Sequence, residues 1–259
     1  MKKLHAAKYL MLFPLLSGAL MANPEPPSEK SHYFNEALEL EPNLENGRKL
    51  YKYCVACHGP EGWGSPNGAY PQIAGQLKDV IIKQLDDIRV GNRDNPIMRA
   101  FTSPRILPGP QEVADVAGYI ASLPMTRYNG QAGGFDLQNG QHIYARDCAS
   151  CHGDNGEGDE KEIIPSVYGQ HFNYLLRQFN WIRDGRRKNA DKKMVRQILN
   201  FTAREQHDVL AYTASLRPPI EKLAEDNWRN PDYKQFDRRW QPDADYKRRS
   251  WNNPERNSD

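Results

Sequence analysis

The chain has 259 residues, with 35 Lys and Arg against 33 Asp and Glu and a mean hydropathy of −0.83. Such balanced charge excludes the broad basic field of a nucleic-acid binder. The length suits two small domains with extensions, and no stretch beyond the first 22 residues is apolar enough for a membrane helix.

Residues 1–22 read as a secretory signal. Lys2, Lys3 and Lys8 give a positive start, Tyr9 to Leu20 is mostly apolar, and Ala22 closes the segment. The apolar run is short of the roughly 20 residues that span a bilayer, which weighs against a retained anchor. The segment holds three lysines and no acid, so its removal takes the formal charge from +2 to −1. Residues 23–41, rich in Pro, Glu and Ser, are expected to form a flexible N-terminal extension.

The next feature occurs twice: Cys54-Val55-Ala56-Cys57-His58 and Cys148-Ala149-Ser150-Cys151-His152. Cys-x-x-Cys-His is the attachment site for c-type haem. Two thiols one helical turn apart can add to the two vinyl groups of a haem, and the adjacent His offers a nitrogen to the iron. A lone Cys-x-x-Cys also serves as a redox pair, and two pairs can make a four-cysteine zinc site. Neither needs a His after both pairs. These four cysteines are the only ones in the chain, so two covalently bound haem c groups are expected. Because c-type haem is attached outside the bacterial cytoplasm, the expected location is the periplasm of a Gram-negative bacterium.

The surrounding sequence repeats at an offset of about 94 residues, the size of a small duplicated domain. Gly47 and Tyr51 recur as Gly140 and Tyr144, and Gly62 and Gly64 as Gly156 and Gly158. Pro71, Gly75 and Gln76 recur as Pro165, Gly169 and Gln170. Gln84, Gly91 and Arg93 recur as Gln178, Gly185 and Arg187, and Tyr119 as Tyr212. Domain 1 is placed at 42–123, a linker at 124–138, domain 2 at 139–216 and a tail at 217–259.

Each repeat reads as helical. Ile81, Leu85 and Ile88 fall on one helix face, as do Leu175, Phe179 and Ile182, with Gly91 and Gly185 as stops. Val113, Val116, Ala117 and Ile120 make the stripe of a last helix that starts at Pro110. Thr202-x-x-Glu205 is a capping box for its counterpart. No segment alternates like a strand, so the fold class expected is all-α.

Beyond the signal the methionines are Met98, Met125 and Met194. Met98 and Met194 stand in the same place in each repeat, which makes them candidates for the second axial position, where a thioether raises the potential of the iron. A Met near an apolar pocket is otherwise core filling. The loops before them differ by two residues, and Met125 has no counterpart.

Residues 42–216 thus resemble a dihaem cytochrome c of the c4 type, with two class I cytochrome c domains in tandem. The two Cys-x-x-Cys-His strings, Pro71 to Gln76 and Pro165 to Gln170, the Gly-x-Arg elements and the two methionines carry the resemblance. It implies His58 and His152 as proximal ligands and Met98 and Met194 as distal ones. Pro71 and Pro165 would offer carbonyls to the far nitrogen of each His. Gly47 and Tyr51 would pack on the helix of Tyr119, and Gly140 and Tyr144 on that of Tyr212. The function implied is single-electron transfer in a respiratory chain. The donor would be a quinol-oxidising complex or a dehydrogenase, and the acceptor a protein such as a terminal oxidase. Any membrane association would run through a partner complex.

Both ends depart from that pattern. The tail mixes Trp228, Tyr233, Phe236, Trp240, Tyr246 and Trp251 with arginines and prolines. It reads either as a strap lying on the domains or as a docking arm, since Trp, Tyr and Arg dominate binding hot spots. Arg183, Arg186, Arg187, Lys188, Lys192, Lys193 and Arg196 around Met194 form either a basic rim that steers acidic partners or a solvated loop. Two function classes stand open. One is an electron carrier or cytochrome subunit with both irons six-coordinate. The other is a dihaem enzyme, peroxidase-like or thiosulfate-oxidising, with one labile iron. His171 and His207 are spare histidines, and a place at the surface or core edge is expected for His171.

Overall fold

The computed structural model describes residues 32–236. The signal segment, the first part of the N-terminal extension and the tail beyond Phe236 lie outside the described residues. The described chain is helical. Three isolated β-bridges occur and no strand, and no described helix is long and apolar enough to cross a membrane.

Domain 1 is built from α2 (Leu44–Tyr51), α3 (Val55–His58), α4 (Lys78–Val90), α5 (Pro96–Phe101) and α6 (Pro110–Ser122), preceded by α1 (His32–Glu39). Domain 2 repeats the plan with α7 (Leu137–Asp147), α8 (Ala149–His152), α9 (Phe172–Arg183), α10 (Lys192–Ile198) and α11 (Ala203–Ser215). Local chemistry sets these limits. Gly91 ends α4 in the left-handed conformation at φ 87°, Pro110 is the first residue of α6, and Thr202 with Glu205 forms a complete capping box on α11.

Each domain turns on one helix crossing, α2 with α6 and α7 with α11. At Gly47 the helices touch, and a Cβ there would lie 2.1 Å from the Asp115 carbonyl oxygen. At Gly140 the distance to the Asp208 carbonyl oxygen would be 2.2 Å. Tyr51 meets Tyr119 with ring centroids 5.4 Å apart, and Tyr144 meets Tyr212 at 5.6 Å. A carboxylate locks each crossing. Asp115 accepts from the Asn43 backbone N–H and the Asn46 side chain, both at 2.7 Å. Asp208 accepts from the Asp136 N–H and the Asn139 side chain, both at 3.0 Å.

The extension departs from the flexible segment that its composition suggests. Residues 32–39 form α1, which packs on α4 and α6 with Phe34 and Ala37 buried in the domain 1 core. Phe34, Ala37 and Leu38 share one helix face, and that stripe outweighs the polar composition. Tyr33 donates to the Pro108 carbonyl, and Arg89 lies over its ring.

The linker is a structural part of the domain interface. Met125, Thr126 and Asn129 are buried. The Asn129 amide donates to the carbonyls of Gln170 and Ala214, each at 2.8 Å. Met125 sits against Gly75 and Gly169, and belongs to the domain 2 core cluster.

The described part of the tail is a strap. Met125 accepts from Ala224 N–H and donates to Lys222, both at 2.8 Å. From there the chain crosses domain 1. Trp228 packs on Trp63, and Tyr233 is buried with its ring edge-on to Tyr51. The Tyr233 hydroxyl donates to the Arg48 carbonyl, and Asn230 donates to the Pro60 carbonyl at 2.7 Å. The docking-arm reading of Trp240 and Trp251 falls outside the described residues.

Candidate functional site

Each Cys-x-x-Cys-His string forms a one-turn helix directly after the helix that carries Tyr51 or Tyr144. That turn brings both sulfurs and the imidazole together, because the His58 and His152 amides donate to the Cys54 and Cys148 carbonyls, each at 2.9 Å. Gly59 and Gly153, at φ 78° and 82°, then reverse the chain. The Tyr51 hydroxyl pins that reversal through the Gly59 carbonyl at 2.7 Å, and Tyr144 does the same at Gly153 at 2.8 Å.

His58 Nδ1 lies 3.1 Å from the Pro71 carbonyl oxygen, and His152 Nδ1 lies 3.0 Å from that of Pro165. A carbonyl only accepts, so Nδ1 carries the proton and Nε2 keeps a free lone pair. Burial holds both imidazoles below the usual histidine range, while the bonds to Pro71 and Pro165 act the other way. No disulfide joins the four cysteines, which leaves every sulfur available for a thioether link. Before haem attachment, burial pushes the Cys54 and Cys148 thiols up to about 12, which keeps both protonated at neutral pH.

Met98 and Met194 occupy the same position in two short helices. Met98 is the third residue of α5, and its N–H donates to the capping Asn95 side chain at 3.2 Å. Met194 is the third residue of α10, and its N–H donates to Asp191 at 3.1 Å. Counted from these caps the two methionines coincide. The two-residue difference therefore lies between Arg93 or Arg187 and the cap. Met194 packs on the domain 2 core cluster.

This donor set fits haem. Each repeat supplies two thiols at vinyl-adding spacing, one neutral imidazole with a fixed tautomer, and a thioether on a separate capped helix. Arg93 adds a donor. Its charge acts on His58, and its buried Nε has no hydrogen-bond partner. A haem propionate is an acceptor of that chemistry.

The interface between the domains is polar and paired. Gln84 accepts from both Arg93 at 2.9 Å and Arg187 at 3.0 Å. Gln178 accepts from Arg187 at 3.1 Å and from Arg93 at 3.3 Å. Gln170 and Gln76 cross in the same way to the backbone of Gln72 and Ser166. His171 differs from its expected surface or core-edge place. It is fully buried, with Nδ1 accepting from Gly130 N–H at 2.8 Å and Nε2 donating to the Trp63 carbonyl at 2.7 Å. Domain 1 has Leu77 at that position, and this lack of a repeat counterpart was the signal available for a special role. His207 stacks on Phe135, with its Nδ1 2.6 Å from the Ala203 carbonyl oxygen.

The basic rim is smaller than the sequence suggests. Arg187 turns into the interface, and Arg183 bonds to Asn180, Asp184 and Gln206. Arg186, Lys188, Lys192, Lys193 and Arg196 are exposed. In domain 1 the corresponding Asp86 and Asp87 are buried, and Arg89 donates to the Thr102 and Leu107 carbonyls.

The cytochrome c family model matches the chain twice, at residues 44–124 and 137–217. Cytochrome c4 of Azotobacter vinelandii is 31% identical over 157 residues, covering 55% of this chain and 73% of that protein. The thiosulfate dehydrogenase electron acceptor of Stutzerimonas stutzeri is 26% identical, covering 67% of this chain and 87% of that protein. The crystal structure of reduced recombinant cytochrome c4 from Pseudomonas stutzeri superposes with a TM-score of 0.56 at 26% identity, covering 68% of this chain and 100% of that one. The fold of a thiosulfate dehydrogenase, TsdBA from Marichromatium purpuratum, is also similar, with a TM-score of 0.58 at 24% identity, covering 71% of this chain and 44% of that one. The chain belongs to the cytochrome c family. Within it, two tandem domains make it a dihaem electron-transfer cytochrome of the c4 type, carrying two covalently attached haem c groups.

Proposed function

We propose that the protein is a periplasmic carrier with both irons six-coordinate, His58 and Met98 at one and His152 and Met194 at the other. Thioether links run from Cys54 and Cys57, and from Cys148 and Cys151. The observation that carries this reading is the duplication of the whole donor set. Both histidines are held by a proline carbonyl, and both methionines sit at the third position of a capped helix. An enzyme would need one iron open or weakly held, and neither repeat lacks a candidate ligand. Haem supplies the one-electron couple. The protein fixes the imidazole, excludes water and sets the potential through its ligands.

The carrier moves single electrons between redox proteins of a respiratory chain. A sulfur-compound dehydrogenase is the donor class favoured by the similarity to a thiosulfate dehydrogenase electron acceptor. The exposed Lys192, Lys193 and Arg196 beside Met194 suit an acidic partner face. The test is a near-infrared and visible spectrum of the holoprotein with carbon monoxide added after reduction. Methionine–iron charge transfer from two haems, with no carbon monoxide bound, is expected. Met98→Ala should remove one band and open one haem to carbon monoxide, leaving the other closed. Carbon monoxide binding to the unaltered protein would give the enzyme reading the lead.

A further inference from the structure

The peptide group between Pro71 and Gln72 is held from both sides. Its carbonyl oxygen lies 3.1 Å from His58 Nδ1. Its N–H, on Gln72, donates to Gln170 Oε1 of the other domain at 3.1 Å. The peptide group between Pro165 and Ser166 repeats the arrangement. Its carbonyl lies 3.0 Å from His152 Nδ1, and its N–H donates to Gln76 Oε1 of domain 1 at 3.0 Å. A second bond fixes each carboxamide. Gln170 Nε2 donates to the Gln72 carbonyl at 2.8 Å, and Gln76 Nε2 to the Ser166 carbonyl at 2.9 Å. Gln72, Ser166 and Gln170 are buried and Gln76 is half-buried, so the Gln170 bonds are shielded from water and the Gln76 bonds partly so.

We infer that Gln76 and Gln170 are positioning residues, each tuning the haem of the opposite domain through the proximal histidine's peptide partner. The inference rests on His58 and His152 ligating iron. A peptide group is planar and conjugated. An acceptor on its N–H draws electron density onto its carbonyl oxygen and makes that oxygen a stronger acceptor. The stronger carbonyl pulls harder on the Nδ1 proton. The imidazole then becomes a more electron-rich ligand at Nε2, which favours oxidised iron and lowers the reduction potential. Gln76 acts in this way on the haem at Cys148 and Cys151, and Gln170 on the haem at Cys54 and Cys57. The domain interface is thereby wired to both irons, and each domain sets part of its neighbour's potential.

The holoprotein variants Gln76→Met and Gln170→Met test this. The two haem potentials are read separately in a redox titration followed by NMR, and His Nδ1 is read by 15N NMR. Gln76→Met should raise the potential of the domain 2 haem, move the His152 Nδ1 resonance, and leave domain 1 close to the unaltered protein. Gln170→Met should do the reverse. A shift in the haem of the substituted domain, equal shifts in both, or no shift would overturn the proposal. An interface role alone would lower stability without this crossed pattern. Should the Met variants fail to hold two haems, Gln76→Glu decides, since it keeps an oxygen facing Ser166 N–H and adds negative charge. It should lower the domain 2 potential above the carboxyl pKa, and a rise or no change there would overturn the proposal. Failure of the ligand assignment is separately visible. The unaltered protein would then lack iron-bound His58 and His152 resonances, and the tuning would fall with it. If those resonances are present and do not move, only the tuning fails.

Discussion

Gly47 and Gly140 carry more of this fold than their size suggests. Each lets two helices approach until a carbonyl sits where a Cβ would be, and the tyrosine one turn later then reaches the turn behind the cysteines. Gly47→Ala should cost about 3 kcal/mol or more, because the crowding is against backbone that cannot swing aside. Urea unfolding of the holoprotein would read it, with the loss confined to domain 1. These residues were legible in the sequence because both copies keep the same short spacing, and a spacing of four on a helix is a geometric statement. The Asp115 and Asp208 clamps were missed, since each lies about 70 residues from its partners and pairs with them only once the helices cross. His171 was misplaced for a related reason. Its partners are a carbonyl at Trp63 and an amide at Gly130, and backbone groups leave no mark in a sequence.

At the scale of elements, the core helices α4, α6, α9 and α11 follow their apolar stripes, with Gly91 closing α4, Pro110 opening α6 and Thr202 capping α11, while α9 closes at Asp184, one residue before the expected Gly185. The elements added outside the duplicated unit were harder. Composition suggested that α1 runs loose, yet Phe34 and Ala37 enter the core. Composition left the tail between strap and arm, and residues 217–236 lie down as a strap. Neither outcome can be read from local periodicity alone, because the surfaces that receive these segments are formed by distant parts of the chain. The strap also makes the two domains unequal. It covers Tyr51 and Trp63 of domain 1, and nothing equivalent among the described residues lies over Tyr144. Tyr233→Ala should therefore destabilise domain 1 by about 3 kcal/mol, the usual cost of emptying a buried aromatic site. Thermal unfolding followed at each haem should show the first domain melting earlier and the second unchanged.

For the whole molecule the decisive surface is the one between the domains. Carboxamides, guanidinium groups and one histidine are paired there, and burial together with the neighbouring Arg93 brings Arg187 down to about 10. His171 makes this surface pH-sensitive. Burial lowers it from 6.5 to about 4, against the opposing pull of the Trp63 carbonyl. Its neutral form accepts from Gly130, and a proton on Nδ1 would end that bond. Between those two values the unfolded chain takes up a proton that the folded protein refuses. The contribution of His171 is complete above pH 6.5 and is lost as pH falls towards 4, amounting to about 3 kcal/mol. His171→Leu, which copies Leu77 of domain 1, should flatten the dependence of the urea midpoint on pH across that window. An unchanged slope would assign the sensitivity to other groups.

The strap also sets an order of events. Tyr233 bonds to Arg48 across 185 residues, and Asn230 to Pro60 across 170. The first half of the chain therefore cannot close its own core until nearly the last of the described residues has been made. Domain 2, whose contacts are more local, can be complete before that. The domain that begins first is the one that finishes last, and through that interval its thiols at Cys54 and Cys57 stand behind an unfinished wall.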